Sequence, residues 1–154
     1  MMRLSEILKP QNIKIGIAAT SKSDAIAELI GLLEASGEVS DGKKVLESVL
    51  DREATRTTGI GNGLAIPHGK SPGTPKLSMA LGRPIEPIDF QSIDGRPVTI
   101  IWLLTSPPDQ AGVHIKALAA ISRLMTSDKF RFALNNAKTS QEIFEIVQRQ
   151  ETMA

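Results

Sequence analysis

The sequence predicts a single α/β domain in which a sheet is covered by helices on both faces, and three observations carry that expectation. Helical and extended patterns alternate along the chain; the run from Val98 to Leu104 is apolar apart from Thr99, as suits a strand buried on both sides; and 154 residues suffice for one sizeable core.

Each element follows from local chemistry. A short amphipathic start at Leu4 to Leu8 leads to a strand candidate at Ile13 to Ile17. Ser21 or Ser23 can cap a helix that aligns Ile26, Leu29, Ile30 and Leu33, with Gly37 as its stop. A second helix, entered at Ser40 or Asp41, aligns Val45, Leu46, Val49 and Leu50, passes Arg52 and Glu53, and ends at Thr57-Thr58-Gly59. Lys76 to Arg83 alternates Leu77, Met79 and Leu81 with Ser78, Ala80 and Gly82, and together with Val98 to Leu104 predicts the centre of the sheet. Between them, Pro84 to Pro97 reads as a loop with a short strand or hairpin around Ile88 to Phe90 and a turn at Asp94-Gly95. The last third is helical. Asp109 is expected to cap a helix that turns Ile115, Leu118, Ile121 or Ser122, and Met125 to one side; Ser127 caps another; Thr139 with Glu142 forms a capping box for a third carrying Ile143, Ile146 and Val147. Trp102, inside the most apolar strand, is assigned to the core.

Composition excludes several classes of function. A formal charge of +1 with scattered basic residues gives no electrostatic drive toward nucleic acid. The chain has no cysteine, which removes disulfides, thiolate metal sites and cysteine nucleophiles and is compatible with a reducing cytoplasm. Arg3, Glu6 and Lys9 interrupt the N-terminus, so it is not read as a signal peptide, and no apolar run approaches the roughly 20 residues of a membrane span. A cytoplasmic protein without direct membrane insertion is expected. The two histidines lack a short ligand spacing, so no metal is expected, and no cofactor motif is present. There is no Gly-x-Ser-x-Gly elbow of a serine hydrolase.

The candidate site is the run Thr58-Gly59-Ile60-Gly61-Asn62-Gly63-Leu64-Ala65-Ile66-Pro67-His68-Gly69-Lys70, which sets one of only two histidines behind alternating glycines. Such glycines leave backbone N–H groups uncovered for an anion. Nucleotide-binding readings fail by counting: five residues separate Gly63 from Gly69-Lys70-Ser71 where a P-loop has four, and a dinucleotide fingerprint would need glycine or alanine at Leu64 or Ile66. What remains is His68, whose neutral imidazole, with an unperturbed pKa of about 6.5, is a competent nucleophile without help from another base. The other histidine, His114, falls near the start of the predicted helix after Asp109, where the helix dipole favours anions and the neutral ring.

The thirteen-residue run resembles the phosphorylation-site signature of enzyme IIA proteins of the fructose/mannitol type. These are phosphocarriers of the bacterial phosphoenolpyruvate-dependent phosphotransferase system, a branch that includes the nitrogen-regulatory IIA proteins. The resemblance runs from Leu4 to about Val147 and implies one enzyme IIA domain over 1–154 with a mixed sheet. It further implies that His68 is the phospho-acceptor through Nε2, that His114 is the second active-site histidine, and that Arg52, sixteen residues before His68, pairs with the phosphoryl oxygens. Arg56 is the competitor for that last role, and Lys70 reads equally as a solvated lysine. The implied partner is a histidine phosphocarrier protein, followed by an enzyme IIB or by regulated target proteins. A free-standing chain favours the nitrogen-regulatory branch over sugar transport.

Overall fold

The apolar residues of the two central strands alternate between opposite sides, and this divides the interior into two layers. The computed structural model describes residues 2–153. In chain order, β1 (Ile13–Ile17) is followed by α1 (Lys22–Ala35), α2 (Gly42–Thr55), β2 (Gly59–Gly61), β3 (Leu64–Ala65), β4 (His68–Lys70), β5 (Ser78–Pro84), β6 (Ile100–Ser106), α3 (Ala111–Leu124), α4 (Asp128–Asn136) and α5 (Ser140–Met153). Two short 3-10 turns, Leu4–Glu6 and Pro10–Asn12, precede them.

The sheet runs in the order β1-β5-β6-β3-β2, with β4 also paired to β6. β1 runs parallel to β5, and β3 and β4 run parallel to β6, whereas β5–β6 and β2–β3 are antiparallel, so the sheet is mixed. On one side Met79, Leu81, Ile100, Trp102 and Leu104 pack with residues of α3, α4 and α5; on the other Ala80, Ile101 and Leu103 pack with residues of α1 and α2. Trp102 is fully buried, and its indole N–H lies 3.3 Å from the sulfur of Met79.

The helix starts are largely those expected. Ser21 accepts from the N–H of Asp24, Asp41 from Lys44, and Ser127 from Phe130, each satisfying a first-turn donor. Thr139 accepts from the N–H of Glu142, and the Glu142 carboxylate reaches back to the N–H of Lys138, one residue before the usual capping-box partner. The two central strands each start two residues later than expected, at Ser78 and Ile100, and Val98 instead forms an isolated bridge with Ile88.

Asp109 does not cap α3. The chain first makes a turn in which the N–H of Gln110 bonds to the carbonyl of Pro107, so the helix begins one residue later with Gln110 as its N-cap and no side-chain capping bond. The inward face is shifted by one residue: His114, Ala117, Ile121 and Leu124 are buried, while Ile115 is 64% exposed. A helix with apolar residues at adjacent positions admits either phase. Here the ring of His114, not Ile115, points to the sheet.

Gly69 in β4 lets α2 lie directly against the strand. A Cβ there would come within 3.0 Å of the N of Val49 and 3.1 Å of the carbonyl carbon of Ser48, both backbone atoms that cannot swing aside. Gly69→Ala is therefore expected to lower stability by about 1–3 kcal/mol through overpacking, read as a lower midpoint in urea unfolding with an unchanged slope. A wild-type midpoint would show that α2 and β4 have slack between them.

Candidate functional site

The glycine segment that the sequence offers as an anion cradle is a β-hairpin. β2 and β3 pair antiparallel, and the turn between them carries positive φ at Gly61 (109°), Asn62 (58°) and Gly63 (78°). Gly61 and Gly63 take that conformation freely, and Asn is the residue that tolerates it next best. Several of the segment's polar groups are already engaged: the N–H of Gly59 bonds to the hydroxyl of Thr57, that of Asn62 to the carboxylate of Asp94, and the Gly63 carbonyl accepts from Thr99 and Ile100. The glycines thus shape the approach to His68 more than they supply open donors. Asp94 does more than turn the chain, since its second oxygen accepts from the N–H of Arg96 and the pair of bonds ties the loop before β6 to the hairpin.

His68 opens β4, in register with Leu104 of β6. Its Nδ1 lies 2.8 Å from the carbonyl oxygen of Ile66. A carbonyl has no proton to give, so Nδ1 is the N–H donor and the neutral ring keeps its lone pair on Nε2. Burial holds the pKa of His68 below the usual histidine value, helped by the charges of Arg52 and Lys70 and opposed by the Ile66 bond and by Glu53. The ring borders a cleft of about 260 Å³ lined also by Arg52, Thr58, Ile60, Ile93 and Leu118.

His114 enters from α3, its ring centroid 5.3 Å from that of His68 and inclined at 61°. It is 2% exposed; its Nδ1 lies 2.6 Å from the hydroxyl of Ser106, and its Nε2 is buried without a hydrogen-bond partner. Burial, with the positive charges that His68 and Lys70 carry when protonated, pushes its pKa down to about 4. The lowered pKa values favour the neutral ring in both histidines. A buried ring that refuses a proton couples stability to pH: the unfolded chain binds that proton as pH falls through about 6.5, and the folded chain only near 4. Stability is therefore expected to be highest above pH 6.5 and to fall steadily toward pH 4, and His114→Gln should flatten that part of the profile in urea titrations. A slope identical in the variant would assign it to other groups.

Arg52, on the last turn of α2, shares the cleft with His68, and its Nη1 donates to the Arg56 carbonyl at 2.8 Å. Arg56 lines the same cleft, more exposed than Arg52, and Lys70 is exposed on β4. The three residues singled out from the sequence, His68, His114 and Arg52, thus converge from β4, α3 and α2. Two further residues, not named as site residues from the sequence, bear on these side chains. Ser106 reaches His114 only because β6 and α3 are joined by a tight turn, and Glu53, 6% exposed, turns inward next to Arg52 and binds Thr58 at the start of the hairpin.

Comparison with known proteins gives this geometry a family. The model for the phosphoenolpyruvate-dependent sugar phosphotransferase system, EIIA 2, matches residues 6–150. The nitrogen regulatory protein of Bradyrhizobium diazoefficiens is 35% identical over 147 residues, covering 95% of each chain. The fructose-specific EIIABC component of Bacillus subtilis is 30% identical over 146 residues, but the chain spans only 23% of that protein's length. The crystal structure of nitrogen regulatory protein IIA-Ntr from Neisseria meningitidis superposes with a TM-score of 0.86 at 30% identity, over 94% of this chain and 98% of that one. Among the described residues no helix is long and apolar enough to cross a membrane. The chain belongs to the EIIA 2 family of the phosphoenolpyruvate-dependent phosphotransferase system, whose members are phosphotransferase components that carry a phosphohistidine.

Proposed function

We propose that the chain works in the cytoplasm as one EIIA domain, that His68 accepts a phosphoryl group through Nε2 from the phosphohistidine of a histidine phosphocarrier protein, and that the phosphorylated form acts in nitrogen-type regulation. The observation that carries this reading is the 2.8 Å bond from Nδ1 of His68 to the Ile66 carbonyl, which leaves Nε2 as the nucleophile. The Nε2 lone pair forms the new N–P bond as the donor's N–P bond breaks, and that electron pair returns to the donor imidazole. No proton has to move.

The remaining work is stabilisation of charge on the three equatorial oxygens. With Ser106 donating to Nδ1 of His114, the neutral ring's one N–H proton sits on the unpartnered Nε2, where it can bond a phosphoryl oxygen. Arg52 has guanidinium donors beyond the one given to Arg56 and adds full charge. Similarity to a nitrogen regulatory protein along nearly the whole of both chains supports the regulatory branch. A second reading, supported by the fructose-specific relative, is a sugar-transport component that passes the group to a fructose- or mannitol-type IIB.

The test begins with phosphocarrier protein that has been phosphorylated and then freed of enzyme I, phosphoenolpyruvate and metal. Transfer to this chain is expected at the same rate with and without EDTA, because His114 and Arg52 supply what a divalent ion supplies to nucleotide-dependent kinases. A rate that collapses in EDTA and returns with Mg²⁺ or Zn²⁺ would overturn the mechanism. Candidate IIB proteins then separate the branches: retained label with phosphorylation-dependent capture of another protein is expected, and rapid loss of label to a IIB would establish the transport reading.

A further inference from the structure

The carbonyl that fixes His68 is itself held by a line of hydrogen bonds that ends on a buried carboxylate. The Nδ1–H of His68 donates to the Ile66 carbonyl at 2.8 Å, and the N–H of Ile66 donates to the Thr58 carbonyl at 3.1 Å. Thr58 in turn gives both its donors to Glu53, its N–H to Oε2 at 2.8 Å and its hydroxyl to Oε1 at 2.5 Å. Lys22 of α1 completes the line, with Nζ 3.2 Å from Oε2 of Glu53 and 2.9 Å from the side-chain oxygen of Gln91. Every donor along it points toward Glu53, and Glu53 and Thr58 are both buried.

This arrangement has a purpose that packing alone does not require. Thr58 sits between the end of α2 and the hairpin, so pinning it fixes where the hairpin starts and the angle at which its far strand leads to His68. A carboxylate that accepts both donors of one residue fixes that residue's position and orientation, and charge-assisted bonds are about twice as strong as neutral ones.

We propose that Glu53 is a positioning residue for the phosphoryl acceptor: through its two bonds to Thr58 it sets the Ile66 carbonyl that holds His68 in the Nδ1–H tautomer and aims Nε2 into the cleft. This rests on His68 being the acceptor. Glu53 does not touch the transferred group. It acts by reach, so what counts is the length of the side chain and its two hydrogen-bonding positions more than its charge.

That distinction sets the experiment. Glu53→Gln keeps the reach: its amide oxygen can accept the Thr58 N–H while its NH₂ donates to the Thr58 hydroxyl oxygen. Glu53→Asp keeps the charge but is one methylene short. Each variant is read by the ring ¹⁵N shifts of His68 in the unphosphorylated protein, which report the tautomer, and by the rate of transfer from the phosphorylated phosphocarrier at a pH where the ring is neutral. Glu53→Gln is expected to keep the Nδ1–H tautomer and a rate within about threefold of wild type. Glu53→Asp is expected to show mixed tautomers and a rate lower by about 10- to 100-fold, the range seen when an outer partner of a metal-bound imidazole is lost. The reverse pattern, a wild-type Asp variant with an impaired Gln variant, would overturn the proposal in favour of a purely electrostatic role; so would a pure Nδ1–H tautomer in both. Should wild-type protein take up no label at His68, the acceptor assignment fails, and the tautomer measurement alone still decides whether Glu53 sets the ring.

Discussion

His68→Ala is expected to take up no phosphoryl group at all while keeping its fold. His68 is only partly buried, and the hydrogen bond its ring makes is to the Ile66 carbonyl. Losing that bond leaves an acceptor beside a cleft that water can enter, at a cost of about 1 kcal/mol. Loss of Nε2 removes the imidazole nucleophile at the cleft, and His114 cannot take its place, since its Nδ1 is engaged with Ser106 and its Nε2 carries the ring's proton. Intact-mass measurement after incubation with phosphorylated phosphocarrier, beside circular dichroism of the same sample, reads both halves. One phosphate per folded variant chain would remove His68 as the acceptor.

His114→Ala is expected to accept the group at the same residue but about 100- to 1,000-fold more slowly, the effect of removing one donor aimed at developing negative charge. The rings are 5.3 Å apart, close enough for a phosphoryl group on His68 to meet the neighbouring N–H. Truncation also leaves the Ser106 hydroxyl buried without its partner, so the variant should melt lower. His114→Gln, which can offer both an acceptor to Ser106 and an N–H to the cleft, should recover part of both losses. Quench-flow rates equal to wild type in the Ala variant would confine His114 to a packing role.

Much of this was legible because it is local. Ser21, Asp41, Ser127 and Thr139 announce helix starts through bonds that span three residues, and those bonds form whatever the rest of the chain does. The glycines before His68 single out the segment in the sequence, but their conformation is not readable there. Gly61 and Gly63 serve a hairpin turn, and the strand partner that makes it a hairpin lies beyond the turn. α3 was misphased by one residue because Val113 and Ile115 flank His114 with apolar side chains, and the sequence cannot say that a histidine takes the inward position when its only reward there is Ser106 on another element. Glu53 is the same case: a charged residue near a helix end ordinarily faces water, and only the fold brings Thr58 and Lys22 to it.

Both histidines depend on one strand. His68 is in register with Leu104 of β6, and Ser106, two residues farther along the same strand, holds His114. The 46 positions that separate the rings in sequence (114 − 68) are therefore spanned by a ruler two residues long. Variation at exposed positions of the Pro84–Pro97 segment, such as Ile85 and Glu86, can change the surface without altering the spacing of the rings. Slippage of β4 along β6 by a single residue is different, since it would turn His68 to the opposite face of the sheet and bring the empty position of Gly69 to His114. Errors of assembly at this strand should consequently appear as silent molecules within a population, not as a uniformly sluggish one, and counting the chains that can be labelled is then a direct assay of how many have closed the sheet correctly.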